Sequence, residues 1–153
     1  MYPQIKICGL TRAKEAEECV RFGADAVGLV FFPKSPRFVT DPKARKICAA
    51  LQNAVHKVGV FVNESFEVIM KKAGYCGLTA VQLHGNEPAL LNQRLINEGL
   101  LVIKGLFSEK RPFFTEAANF PASAFLLECG KGNLPGGNAL AWDYKEVSEF
   151  GKE

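Results

Sequence analysis

An α/β protein built on a parallel sheet is what this sequence predicts, and three observations carry the prediction. Six short apolar runs alternate with amphipathic stretches at intervals of roughly 20–30 residues, strand and helix in turn. The second run, Ala26 to Phe32 (AVGLVFF), is continuously apolar, as in a strand covered on both faces. The first, within Gln4 to Arg12 (QIKICGLTR), stops at a turn around Gly9 and enters a helix, leaving Cys8 at the carboxyl end of its strand. In parallel α/β proteins, ligands bind and chemistry occurs at that end. An open flavodoxin-like sheet and most of a (β/α)8 barrel both satisfy the pattern. A complete barrel usually needs ~200 residues or more, so a chain of 153 falls short by about two units.

Taken in order, Thr11 is positioned to cap a first helix whose apolar face includes Ala16, Cys19 and Val20, ending near Phe22-Gly23. After the strand Ala26 to Phe32 comes a rigid basic loop, Pro33-Lys34-Ser35-Pro36-Arg37. Asp41-Pro42 opens the next helix as acidic cap and first-turn proline, with the stripe Ala44, Ile47, Cys48 and Leu51. Lys57 to Val62 is the third strand, and Phe66, Ile69, Met70 and Ala73 mark the third helix. Ala80 to His84 is the fourth strand. Asn86 then caps a helix carrying Leu90, Leu91 and Leu95, which ends at Gly99. Leu100 to Leu106 is the fifth strand. Pro112 and Pro121 limit any helix between Phe107 and Ser123 to a short one. Ala124 to Cys129 is the sixth strand, followed by a glycine-rich loop and, from Trp142 to Phe150, the start of a helix.

Composition narrows the class. The 48% apolar and 23% charged content is that of a globular protein with one real core. A net charge of +3, with basic residues singly or in pairs such as Lys71-Lys72 and Lys110-Arg111, argues against nucleic acid. Gln4 and Lys6 interrupt any signal-peptide apolar region, and no apolar run approaches the ~20 residues of a membrane helix. Five cysteines, an odd number without CxxC spacing, imply neither a disulfide framework nor a zinc site. Cys19, Cys48, Cys76 and Cys129 read as small buried residues, and the compartment as reduced cytoplasm.

The strand ends supply the polar groups Cys8, Arg37, Asn63, Gln82, His84, Lys104 and Glu128. Gln82 and His84 share a face of their strand. Lys104, if it lies on the face of Val102 and Leu106, needs a counter-ion, for which Glu128 is a candidate. Singly, each has an ordinary reading: a bonded histidine, a solvated arginine, a structurally paired lysine. The informative combination is a thiol after the first strand and a carboxyl near the end of the sixth. Together they suit proton transfer, with the carboxylic acid protonating a leaving oxygen and a thiolate removing a carbon-bound proton.

The motifs IKICGLT (Ile5 to Thr11), GADAVGLVFFPKSPRFV (Gly23 to Val39), VGVFVN (Val58 to Asn63), VQLHG (Val81 to Gly85) and VIKG (Val102 to Gly105) together resemble the phosphoribosylanthranilate isomerases of tryptophan biosynthesis. The resemblance implies a (β/α)8 barrel present as one incomplete domain over residues 1–153, with strands seven and eight absent. It implies a cytoplasmic isomerase acting without metal or cofactor by an Amadori rearrangement. N-(5-phosphoribosyl)anthranilate would become 1-(2-carboxyphenylamino)-1-deoxyribulose 5-phosphate. Cys8 matches the general base, and Arg37 the arginine that engages the anthranilate moiety. Glu128 stands where the family has an aspartate as general acid, one methylene longer. Gln82, His84 and Lys104 complete the expected substrate-binding set. Gly136 to Tyr144 (GGNALAWDY) departs from the family's GGTGxxFDW loop over the substrate.

The apparently missing strands carry the family's phosphate site. The resemblance therefore implies either a complementing C-terminal fragment or self-association through open sheet edges. The departures also admit two other expectations. One is an inactive barrel fragment persisting as a folding or assembly module. The other is a related phosphosugar enzyme using Cys8 and Glu128 on another aminated sugar.

Overall fold

The computed structural model describes residues 4–51, 55–132, 144–147 and 150. Six strands, β1 (Lys6–Cys8), β2 (Ala26–Val30), β3 (His56–Phe61), β4 (Ala80–Leu83), β5 (Leu101–Phe107) and β6 (Ala124–Glu128), form one sheet. Four helices alternate with them: α1 (Ala13–Arg21), α2 (Asp41–Ala50), α3 (Phe66–Cys76) and α4 (Ala89–Asn97). Every neighbouring pair is parallel, and the spatial order is the chain order, β1 to β6. That order decides between the two architectures left open by the sequence. A doubly wound sheet reverses its strand order at a switch point. Right-handed crossovers without a reversal put every helix on the same side. The sheet twists and curls away from that side into a half-barrel.

Register assigns the two faces. Val27, Leu29, Phe61, Val81, Leu83 and Val102 turn towards the helices and form the main core with Ala44, Ile47, Ile69, Ala73, Leu91 and Leu95. Phe31 and Phe61 stack there at 5.1 Å. The opposite, concave face presents Cys8, Gly28, Val58, Val60, Gln82, Ile103, Gly105 and Leu126, matched across the ladder.

Element starts differ from expectation at three helices. Thr11 does not cap α1; Arg12 takes the flanking position without a side-chain bond. Asp41 is the first residue of α2 rather than its cap, and pairs with Lys72 of α3. Asn86 does not cap α4, which begins three residues later behind Pro88; its N–H instead donates to Asn63 Oδ1 at 2.8 Å. Leu90 is 70% exposed, so the buried stripe of α4 runs through Leu91 and Leu95. α3 has both caps. Ser65 Oγ accepts the Val68 N–H, and Gly77 closes the helix at φ +70°, where a side chain would be strained. Between β5 and β6 lies only a short 3-10 helix, Phe114–Asn119, and another covers Tyr144–Val147. The glycine-rich loop from Asn133 through Asp143 lies outside the described residues.

One polar node joins the carboxyl ends of β3 and β4 to the middle of β5. Lys104 shares the register of Leu83 and therefore faces the helix side, where its side chain has no exposure. Its partner is Glu87, at 2.6 Å, and not Glu128; the sequence-based pairing is corrected here. The reason is parity: Glu128 aligns with Phe107, three positions after Lys104, on the other face of the sheet. Lys104 Nζ also donates to the Gly85 carbonyl at 2.9 Å. Glu87 in turn accepts the N–H groups of Asn63 (2.8 Å) and Gly85 (3.0 Å), so its charge is well satisfied although buried.

Burial pushes the Lys104 pKa down, while the Glu87 carboxylate opposes that shift. A lysine whose folded pKa is lowered disfavours the fold while it stays charged. That cost is relieved as pH rises from its folded pKa towards the ordinary ~10.4. Glu87→Gln removes the opposing charge, so it should lower stability at neutral pH by roughly 3–5 kcal/mol. It should also recover more stability than the unmodified protein as pH is raised from neutral towards the ordinary lysine pKa of about 10.4. Urea unfolding across that range is the measurement, and parallel pH profiles would contradict the assignment.

Candidate active site

All six strands run the same way, so their carboxyl ends and following loops gather at one end of the sheet. Cys8 is the last residue of β1 and is half-buried. It lies opposite Gly28, and a Cβ there would come within 2.7 Å of its Sγ. Gly28 is therefore the space that the thiol occupies. Gly9 turns the chain at φ +83°, held by its N–H donating to the Gly28 carbonyl at 2.8 Å.

Arg37 reaches this turn from the next strand's loop. The Ser35 N–H donates to the Phe32 carbonyl, the Arg37 N–H to Ser35 Oγ, and the Val39 N–H to the Val30 carbonyl. The folded-back segment lays the Arg37 side chain over Gly9, where a Cβ would come within 2.6 Å of Arg37 Cδ. The PKSPR cation thus stands beside the residue after Cys8, at the rim of the concave face.

Gln82 and His84 come from β4 and its end, both nearly inaccessible. Gln82 Nε2 lies 3.1 Å from His84 Nδ1, and Gln82 Oε1 is buried without a hydrogen-bond partner among the described residues. The imidazole meets the Phe107 ring edge-on at 5.4 Å. Its Nε2 lies 3.4 Å from Glu128 Oε2, and the Glu128 side chain is about a third exposed. Lys110, in the loop after β5, also faces Glu128. Burial lowers its pKa, and the nearby Glu128 and Cys129 partly restore it.

Cys8, Gln82, His84 and Glu128 therefore share one end and one face, with Arg37 at its rim. Lys104 lies apart from that face: its ammonium is bonded to Glu87 on the helix side, so the structure does not bring it together with the other expected substrate-binding residues. Asn63 has φ 54° and serves the loop through Asn86. Sequence reasoning missed Glu87 altogether, although a carboxylate three residues after His84 was available as a partner for a lysine in an apolar strand. It also missed Gly28 and Gly105. A glycine inside an apolar strand signals close approach by another group. Among the described residues, no group of three or more His, Cys, Asp or Glu could hold a metal ion, and no helix is long and apolar enough to cross a membrane.

What this arrangement can do chemically is move two protons at separate points, through a thiol and a carboxyl. The other cysteines are set apart from that chemistry. Burial and the neighbouring Cys76 push the Cys48 thiol up to about 11, while burial and Asp41 raise Cys76. Cys19 is half-buried rather than buried, a departure from the sequence reading. Alkylation with iodoacetamide at about pH 8, mapped by peptide mass spectrometry, should modify Cys8 and Cys19 well before Cys48 and Cys76. Labelling of Cys48 as fast as Cys8 would contradict this ordering.

The model of the family N-(5'phosphoribosyl)anthranilate (PRA) isomerase matches residues 5–153. The N-(5'-phosphoribosyl)anthranilate isomerase of Desulfatibacillum aliphaticivorans is 52% identical over 145 residues, which cover 95% of this chain and 66% of that protein. The crystal structure of phosphoribosyl anthranilate isomerase from Thermotoga maritima aligns with a TM-score of 0.81 and 40% identity, covering 95% of this chain and 70% of that one. Another crystal structure, of a phosphoribosyl anthranilate isomerase in complex with reduced 1-(o-carboxyphenylamino)-1-deoxyribulose 5-phosphate, aligns at TM-score 0.74 with 44% identity. It covers 84% of this chain and 66% of its own. The chain spans about two thirds of the length of the proteins it matches.

Proposed function

Because this chain belongs to the N-(5'-phosphoribosyl)anthranilate isomerase family, we propose that its concave face carries that family's reaction. The substrate is N-(5'-phosphoribosyl)anthranilate and the product 1-(2-carboxyphenylamino)-1-deoxyribulose 5-phosphate. The observation that carries the reading is the presence of a thiol and a carboxyl, Cys8 and Glu128, on one face at one end of a parallel sheet.

The steps follow from the two groups. Glu128, protonated, gives its proton to the furanose ring oxygen as the C1–O bond breaks and the electron pair leaves with oxygen. The nitrogen lone pair closes a C=N bond at C1. Cys8, as thiolate, then takes the C2 proton, and the C–H electrons form a C1–C2 double bond while nitrogen regains its pair. The resulting enol becomes the ketone by moving a proton from the C2 hydroxyl to C1. Atoms and electrons balance as an isomerisation, and no step calls for a cofactor. The Arg37 guanidinium, beside Gly9, is the cation suited to the anthranilate carboxylate.

We assign the reaction to the cytoplasm, in keeping with five free cysteines. Among the described residues β1 and β6 each pair on one side only, so a complementing segment or a second copy has two places to add strands.

The test is isomerase activity on phosphoribosylanthranilate generated in the assay. Cys8→Ser and Glu128→Ala should each lower kcat by about 10²-fold or more, the scale of a lost general base or acid. Arg37→Ala should mainly raise KM. Turnover by Cys8→Ser at the unmodified rate would overturn the base assignment. A folded protein without any turnover would favour a non-catalytic module.

A further inference from the structure

We propose that His84 is a positioning residue for Glu128, reaching it across the gap left by Gly105, rather than a group that binds substrate. The inference rests on the reading of Glu128 as the acid and deepens it. β4 and β6 are not neighbours; β5 lies between them. Two strand spacings separate their backbones by about 9–10 Å. His84, the residue after Leu83, stands level with Gly105, and Gly105 pairs with Leu126. A side chain at Gly105 would fill the path: its Cβ would come within 2.9 Å of His84 Nδ1. With glycine there, the imidazole crosses β5 on the concave face and Nε2 comes within 3.4 Å of Glu128 Oε2.

The ring is held on its other sides as well. Gln82 contacts Nδ1 at 3.1 Å, and Phe107 meets the ring edge-on. His84 itself is 6% exposed, which leaves little of it for a ligand. Its polar reach is spent on Gln82 and Glu128. The length of Glu128 acquires a reason from this geometry. A glutamate extends back from β6 to meet the imidazole, whereas an aspartate on the same backbone stops one methylene short.

A double-mutant cycle separates positioning from binding. His84→Ala should lower kcat roughly tenfold while KM stays within about twofold, because a misplaced acid costs rate and not affinity. In a Glu128→Gln background the same change should cost less than about twofold, since its effect passes through the carboxyl. Gly105→Ala, which removes no polar group, should lower kcat with KM unchanged. It should add little once His84 is alanine. His84→Gln, whose amide extends towards the place of Nε2, should retain more activity than His84→Asn. Additive losses, or a raised KM with kcat intact, would overturn the proposal and return His84 to substrate binding.

If His84→Ala does not fold by circular dichroism, Gly105→Ala and the glutamine and asparagine pair decide the question. If the unmodified protein does not isomerise phosphoribosylanthranilate, the functional reading fails by itself. The cycle is then read by urea unfolding midpoints, where non-additive shifts support the contact and additive shifts overturn it.

Discussion

The Glu87–Lys104 pair is the constraint on which the catalytic end of this sheet depends. Two opposite charges are withdrawn from water between the sheet and its helices, where neither could stand alone. The pair is tolerable because nearly every remaining bonding position is used. The carboxylate takes backbone N–H groups from Asn63 and Gly85, and the ammonium returns to the Gly85 carbonyl. An apolar pair of similar volume could match its contribution to stability, but it could not bond three separate chain segments to one point. The end of β3, the turn after β4 and the middle of β5 are all tied to it. His84 directly precedes Gly85, so the same node that holds the helix face fixes the backbone from which the imidazole departs on the concave face.

On that concave face, missing side chains matter as much as the polar ones. Gly28 clears the volume into which Cys8 projects, Gly9 lets Arg37 lie flat across the turn, and Gly105 opens the crossing from β4 to β6. Each glycine sits beside one functional side chain on a neighbouring strand or loop. Glycine inside a strand weakens it through backbone entropy and lost packing. Gly28 and Gly105 are two such positions, explained by close approach, and the buried apolar ladder on the helix side compensates for them.

Much of this was legible in the chain itself. All six strands, all four helices and the site end of the sheet follow from apolar runs punctuated by glycine and proline. The helix starts did not follow, because Thr11, Asp41 and Asn86 are good capping residues whose side chains were drawn elsewhere or lay a residue or more from the true start. Barrel and open sheet could not be separated by periodicity, since both repeat βα units; only the spatial order of the strands differs. The partner of Lys104 was missed for a related reason. Alternation along a strand says which residues share a face, but matching Lys104 with Glu128 required the register between strands as well. That register puts Glu128 on the other face.

The division of labour between β1 and β6 has its own logic. The thiol and the carboxyl stand on the two outermost strands of the sheet, and its curl turns both towards one concave space. In the proposed reaction the ring oxygen and the C2 hydrogen are different atoms needing opposite services, which suits an acid and a base on separate strands. Between β4 and β6, β5 offers Ile103, Gly105 and Phe107 to the concave face, and its lysine is turned away against Glu87. An inward ammonium there would compete with His84 for the Glu128 side chain. Sequestering Lys104 on the helix side therefore leaves the approach to Glu128 across β5 to the His84 imidazole, while Lys110 faces the carboxyl from the loop after β5.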